Sequence, residues 1–215
     1  MTDVVDRATP PAAAPERRAR VARSIRRQQF LAAASATFAA RGYHAATMDE
    51  ISQRAGFSKP VLYQHFSSKL DLYLAVLQHH LGVLVSSVRE ALSSAIDNHR
   101  RVRAAVQAYF DFVDDEAEGF RLVFESNVTD EPSAQWHIDR AEQECVDAVF
   151  DLVVRDSGLD PQRARVLAVG LVGVSQFTAR DWLEAARPVP KEIAVDTTVA
   201  LCWGGLSRLP LQSTP

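Results

Sequence analysis

Lys59, Tyr63, Gln64 and His65 set an ammonium, a phenol, an amide and an imidazole in one short run, with no nucleophile or metal-ligand company around them. That set suits recognition by hydrogen bonds rather than bond making. A side-chain amide can pair bidentately with adenine in a major groove, so Gln64 is the residue expected to read a base, with Lys59 and Tyr63 facing the same groove. Thr47, Ser58, His65 and Lys69 are expected to clamp the phosphate backbone, and Arg26 and Arg27 to steer toward it. The remaining chemistry-bearing residues form no site. His79 and His80 are adjacent, ~100° apart on a helix, and cannot chelate one ion together. His44, His99 and His137 lack ligand partners at useful spacing, and Asp114, Asp115, Glu116 and Glu118 read as a solvated helix end. Cys145 falls on an apolar stripe and is expected in the core. No G-x-S-x-G, phosphate loop or dinucleotide fingerprint occurs. An enzyme is therefore not expected, nor a metal or a cofactor.

The elements that would position these groups are legible around them. Thr47 can cap a helix whose first turn carries Asp49 and Glu50, and Ile51 and Ala55 share its inner face. Gly56 follows where a helix end often needs positive φ. Ser58 can cap the next helix, and Pro60 falls in its first turn, where a missing N–H costs nothing. Val61, Leu62 and Phe66 would bury, leaving Lys59 to Phe66 as the recognition helix of a helix-turn-helix. A helix from Ser24 to Arg41, ended by Gly42, would cover this unit with Ile25, Phe30, Ala34 and Phe38. A long helix from Ser67 or Ser68 past Leu92 would leave it; at about 25 residues it spans ~38 Å.

The run GFSKPVLYQHFSSKLDLYLAVL, preceded by Phe38, Arg41-Gly42-Tyr43 and Thr47-Met48-Asp49-Glu50-Ile51, resembles the DNA-binding signature of TetR-type regulators. FDFVDDEAEGFRLVFES, DSGLDPQRARVLAVGLVGVSQ and CWGGLSRLPL carry a narrower resemblance, to actinobacterial TetR-type activators of fatty-acid synthase genes that respond to long-chain acyl-CoA. The resemblance implies double-stranded operator DNA as one partner, a second copy of the chain as another, acyl-CoA as effector, and contact with RNA polymerase if the protein activates. It leaves open a repressor that senses another hydrophobic compound. A rival of a different class, an acyl-CoA-handling helical protein, would need a catalytic constellation that cannot be read here.

Charge fits a polyanion at one end. Residues 1–69 hold eleven Lys and Arg against five Asp and Glu, whereas the remaining 146 hold thirteen against twenty-two. Hydrophobic content of 47% with 24% charged is ordinary for a globular chain of 215 residues. Two cysteines, Cys145 and Cys202, imply no disulfide framework and suit a reducing cytoplasm. The arginine-rich start lacks the apolar stretch of a signal peptide, and no run reaches the ~20 apolar residues of a membrane span.

The expected organisation is all-α, with about nine helices: 1–22 a disordered basic arm, 23–69 the DNA-binding domain, 70–209 a helical ligand-binding and dimerisation domain, and 210–215 a tail. Arg7, Arg17, Arg18 and Arg20 of the arm could reach a minor groove or phosphates, or form a solvated tail. Val106, Tyr109, Phe110, Val113, Phe120, Phe124, Val149, Phe150, Val174 and Phe177 would line an apolar ligand site; a plain aromatic core is the alternative. Arg100, Arg101, Arg103, Arg121 and Arg140 are candidates for the phosphates of CoA. Gly170 and Gly173 each weaken their helix by ~1 kcal/mol, which close approach of another helix would offset. With Ala200 and Trp203 on the last helix they would form a two-fold interface, as the resemblance implies; finishing the core of one subunit is the alternative.

Overall fold

The computed structural model describes residues 13–94, 97–115, 119 and 131–206. Among these residues the chain is all-helical, with eight helices: α1 (Ala13–Ala45), α2 (Met48–Arg54), α3 (Lys59–Tyr63), α4 (Lys69–Ser93), α5 (Asn98–Asp115), α6 (Pro132–Asp156), α7 (Pro161–Glu184) and α8 (Lys191–Leu206). Phe120 and Phe124, where a further short helix is expected, lie outside the described residues, as do residues 1–12 and 207–215.

Helix starts follow local chemistry. The Thr47 hydroxyl accepts from the Glu50 N–H at 3.2 Å, and Ser68 accepts from the Asp71 N–H at 3.0 Å. Asp71 answers by accepting from the Ser67 N–H at 2.7 Å, so the start of α4 is locked from both sides. Asp160 accepts from the N–H groups of Gln162 and Arg163 ahead of α7, with Pro161 in its first turn. Two glycines sit where the backbone needs them: Gly42 (φ 73°) breaks α1 near its end, and Gly56 (φ 76°) makes the turn between α2 and α3.

One correction concerns the arm. α1 begins at Ala13, well before Ser24, since alanines, Glu16 and arginines favour helix and Pro15 falls within its first turn. Ile25, expected on the buried side, is 50% exposed.

α4 is the spine. Its first turns pack on α1 through Tyr73, which meets the rings of Phe38 and Tyr43 at 5.3 and 5.1 Å. Farther along, Val76, Leu77, Leu81, Leu84 and Val88 bury against α5 and α6. α7 packs on α6 and α5, and α8 on α5 and α7. Phe30, Phe38, Ile51, Leu62 and Phe66 form the inner layer of the head, all within 2% of complete burial.

Candidate functional site

The head presents α3 between two buried anchors, Leu62 and Phe66, which hold its inner face. Gln64 caps the helix, which is shorter than the Lys59 to Phe66 read from sequence. The outer face is open: Ser58, Lys59, Tyr63 and Gln64 are all exposed. Ser58 stands at the N-cap, yet its hydroxyl makes no capping bond and remains available to a ligand oxygen. Lys59 reaches back across the turn to Asp49 at 2.9 Å, and that hydrogen bond raises the ammonium pKa.

Two expected clamps turn inward. The Lys69 ammonium donates to the carbonyls of Tyr43, His44 and Ala46 at 2.9, 3.2 and 3.1 Å and lies 4.6 Å from the Tyr43 ring centroid. Its three protons are thus spent on the chain end left open by the Gly42 break. The expected phosphate grip is replaced by a staple joining the start of α4 to the end of α1. His65 is half-buried, its ring 5.4 Å from Phe30 and 6.4 Å from Phe66. Burial first, and then the charges of Arg23, Arg26 and Arg27, depress its pKa and favour neutral imidazole. It packs as a wedge rather than clamping as a cation.

Ion pairing sorts the basic residues by place. Every described Lys and Arg beyond Lys69 holds a carboxylate, from Arg89 with Glu144 to Lys191 with Asp111 and Asp114. In the head Arg41 pairs with Glu50, whereas Arg17, Arg18, Arg20, Arg23, Arg26, Arg27 and Arg54 make no ion pair among the described residues. Arg27 stacks over Phe66 at 4.4 Å, which brings it beside the end of α3. Cations without counter-ions on one end of a molecule are ready to neutralise phosphates.

The body holds a partly open cavity of about 350 Å³, at the small end of the range for ligand pockets. Val106 and Tyr109 of α5, Val149 and Leu152 of α6, and Leu167 and Leu171 of α7 line it, with Cys202 and Trp203 of α8. Polar groups gather where α5 begins and α6 ends: Asn98, His99, Asp156 and Ser157. Burial pushes the Cys145 thiol up to about 11, with the Tyr109 hydroxyl as its hydrogen-bond partner.

Of the expected ligand residues, Val106, Tyr109 and Val149 line this space. Phe110 instead packs on Trp182 at 5.6 Å, Val113 is core, and Phe150 and Val174 are half-buried away from the cavity. Phe177 is 70% exposed and points out of the body. Phe120, Phe124 and Arg121 lie outside the described residues. The other candidate mouth cations are engaged: Arg100 by Asp97, Arg101 by Asp156, Arg103 by Asp196 and Arg140 by Glu144. Trp203, expected at the dimer face, turns to the cavity and meets His99 ring to ring at 5.1 Å.

An apolar outer stripe remains. On α7, Val166 (75% exposed), Gly170, Gly173 and Phe177 recur at three- and four-residue steps; on α8, Ile193, Ala200 and Leu201 are exposed. A Cβ at Gly170 or Gly173 would meet nothing within 4 Å, so no neighbour among the described residues accounts for these glycines.

Residues 30–76 match the family described as bacterial regulatory proteins, tetR family, and residues 98–205 match a tetracyclin repressor-like C-terminal domain. The HTH-type transcriptional activator FasR of Mycolicibacterium smegmatis is 56% identical over 201 residues, covering 94% of this chain and 92% of that protein. Among solved structures, the fatty acid degradation regulator FadR from Bacillus halodurans superposes with TM-score 0.69 at 20% identity, over 85% of this chain and 96% of that one. The transcriptional regulator FadR from Bacillus subtilis, in complex with stearoyl-CoA, gives TM-score 0.69 at 15% identity, over 83% and 98%. At those identities the two structures share the fold.

Proposed function

Because the chain belongs to the TetR family of bacterial regulatory proteins, we propose that it is a homodimeric activator of fatty-acid synthesis genes, released from its operator by long-chain acyl-CoA. Members of the family are transcription regulators and not enzymes. The observation that supports the DNA-binding part is that, among the described residues, arginines without an ion pair lie in the head, beside an exposed Tyr63 and Gln64, whereas the body's described cations are paired. In this reading α3 enters the major groove, Gln64 pairs with a base, and Ser58, Thr47 and the arginines of α1 hold phosphates. The outer stripe of α7 and α8 meets the same stripe of a second copy, which spaces two recognition helices about one DNA turn apart.

The effector assignment is supported by the apolar cavity and by similarity to a protein named as the activator FasR. The acyl chain lies among Val106, Tyr109, Val149 and Leu171. CoA phosphates would compete with Asp97 and Asp156 for Arg100 and Arg101. An activator would in addition touch RNA polymerase. A TetR-type repressor answering a phosphate-free hydrophobic compound is the second reading, favoured by the engagement of the described mouth arginines.

The test is fluorescence anisotropy of labelled DNA from ahead of a fatty-acid synthase gene, titrated with protein, with and without long-chain acyl-CoA. Release by acyl-CoA, but not by free fatty acid or free CoA, is the expected result. Release by an unrelated hydrophobic compound alone would favour the second reading.

A further inference from the structure

We infer that Asp156 sets the ligand specificity of the cavity. By holding the Arg101 guanidinium it withholds that cation from a ligand carboxylate, so the cavity admits long acyl groups whose carboxyl is esterified and excludes free acids. The inference rests on the reading of the cavity as the effector site and names the residue that chooses among ligands there.

Formal charge at the cavity wall has one sign. Among the described residues that line it are two acids, Asp97 and Asp156, and no lysine or arginine. Both carboxylates are paired, but their arginines stand behind them rather than in the lining. Asp156 accepts from Arg101 at 2.7 Å, and the two side chains are only 23% and 18% exposed. Its other oxygen meets Arg155 at 3.1 Å, on the solvent side, where that arginine is 65% exposed. Asp97 lies 3.2 Å from Arg100, which is 79% exposed. Water screens the exposed arginines. Arg101 is the sheltered cation closest to what the cavity holds.

Arg101 also donates to the Asn98 side-chain carbonyl at 2.9 Å. The Asn98 oxygen is thereby engaged, and its NH2 group is the half that can serve a ligand carbonyl. A neutral ester or thioester carbonyl fits such a wall as an acceptor. A carboxylate does not. To take Arg101 it must displace the carboxylate already there, an exchange of like for like that leaves Asp156 partly buried beside a second negative charge. If it leaves the pair intact, its own charge sheds water next to Asp156 with no described cation in the lining. A CoA thioester avoids both outcomes, because its first charges are phosphates a pantetheine arm away from the carbonyl. Val106, Val149 and Leu171 then accept the alkyl chain.

The experiment measures binding of palmitic acid, methyl palmitate and palmitoyl-CoA to full-length protein, each ligand kept below its aggregation threshold. The readout is tryptophan emission, since Trp203 lines the cavity. Native protein, D156N, R101Q and D156N/R101Q are compared, with circular dichroism checked for each. Native protein is expected to bind the acid about tenfold or more weakly than the ester. D156N should close most of that gap, because Arg101 then gains a partner by taking the ligand carboxylate, while ester affinity stays within about threefold. The double variant should reopen the gap. R101Q leaves Asp156 to exposed Arg155 and should widen the gap severalfold; it decides the matter if D156N fails to fold. No gap in native protein, an unchanged gap in D156N or R101Q, or a gap still closed in the double variant overturns the inference. Failure of palmitoyl-CoA to bind, with the acid and ester behaving as expected, overturns the acyl-CoA reading alone. Binding of none of the three by native protein overturns both.

Discussion

At the scale of single residues, Lys69 and Gln64 sit close in sequence and are expected to fail differently when changed. Lys69→Ala leaves three carbonyls at the α1 end without their donor, at about 1–3 kcal/mol. For a chain of this size that lowers the melting temperature by roughly 3–10 °C. The salt slope of DNA binding should stay near native, and a marked drop would return Lys69 to the phosphate backbone. Gln64→Ala should leave stability alone, because the side chain is exposed at the end of α3. Its effect belongs in base preference, about 1–3 kcal/mol of discrimination at one position per half-site. Selection from random DNA reads this directly, and an unchanged preferred sequence removes Gln64 from that role.

At the scale of helices, the body divides its labour by face. α7 turns Leu167 and Leu171 to the cavity, and Val166, Gly170 and Phe177 outward. Val149→Trp, which fills the cavity from α6, is expected to abolish release by acyl-CoA while DNA affinity holds; retained release would place the acyl chain elsewhere. Placing aspartate at both Val166 and Phe177 should give a monomer by light scattering with operator affinity reduced at least a hundredfold. Persistence of the dimer would assign the stripe another partner. These faces mark the limit of what the sequence conveys. The helix-turn-helix was legible because its caps, its two turn glycines and its buried positions are local signals that agree with one another. The cavity was not. Phe177 and Trp203 sit on helices apolar beyond a single stripe, so periodicity cannot say which side meets the cavity and which a partner. Each was expected at the other's place for that reason. Lys69 shows a related limit, because its carbonyl partners lie 23 to 26 residues away and depend on the break at Gly42.

At the scale of the whole molecule, head and body are joined through α4, whose first turn is stapled to α1 and whose length runs against α5 and α6. If the proposed function holds, a ligand among α5, α6 and α7 is expected to reach the head through α4. Coupling is reciprocal: if acyl-CoA loosens the operator by some factor, operator DNA must loosen acyl-CoA by the same factor. Calorimetric titration of acyl-CoA with and without saturating operator checks this, and no change in either direction would disconnect cavity from head. The pairing pattern has one more consequence. With its described body cations matched to carboxylates and acid in excess there, the protein is an electrostatic dipole with a cationic head. That distribution steers the head toward the phosphates of a duplex while the acidic body is repelled by them.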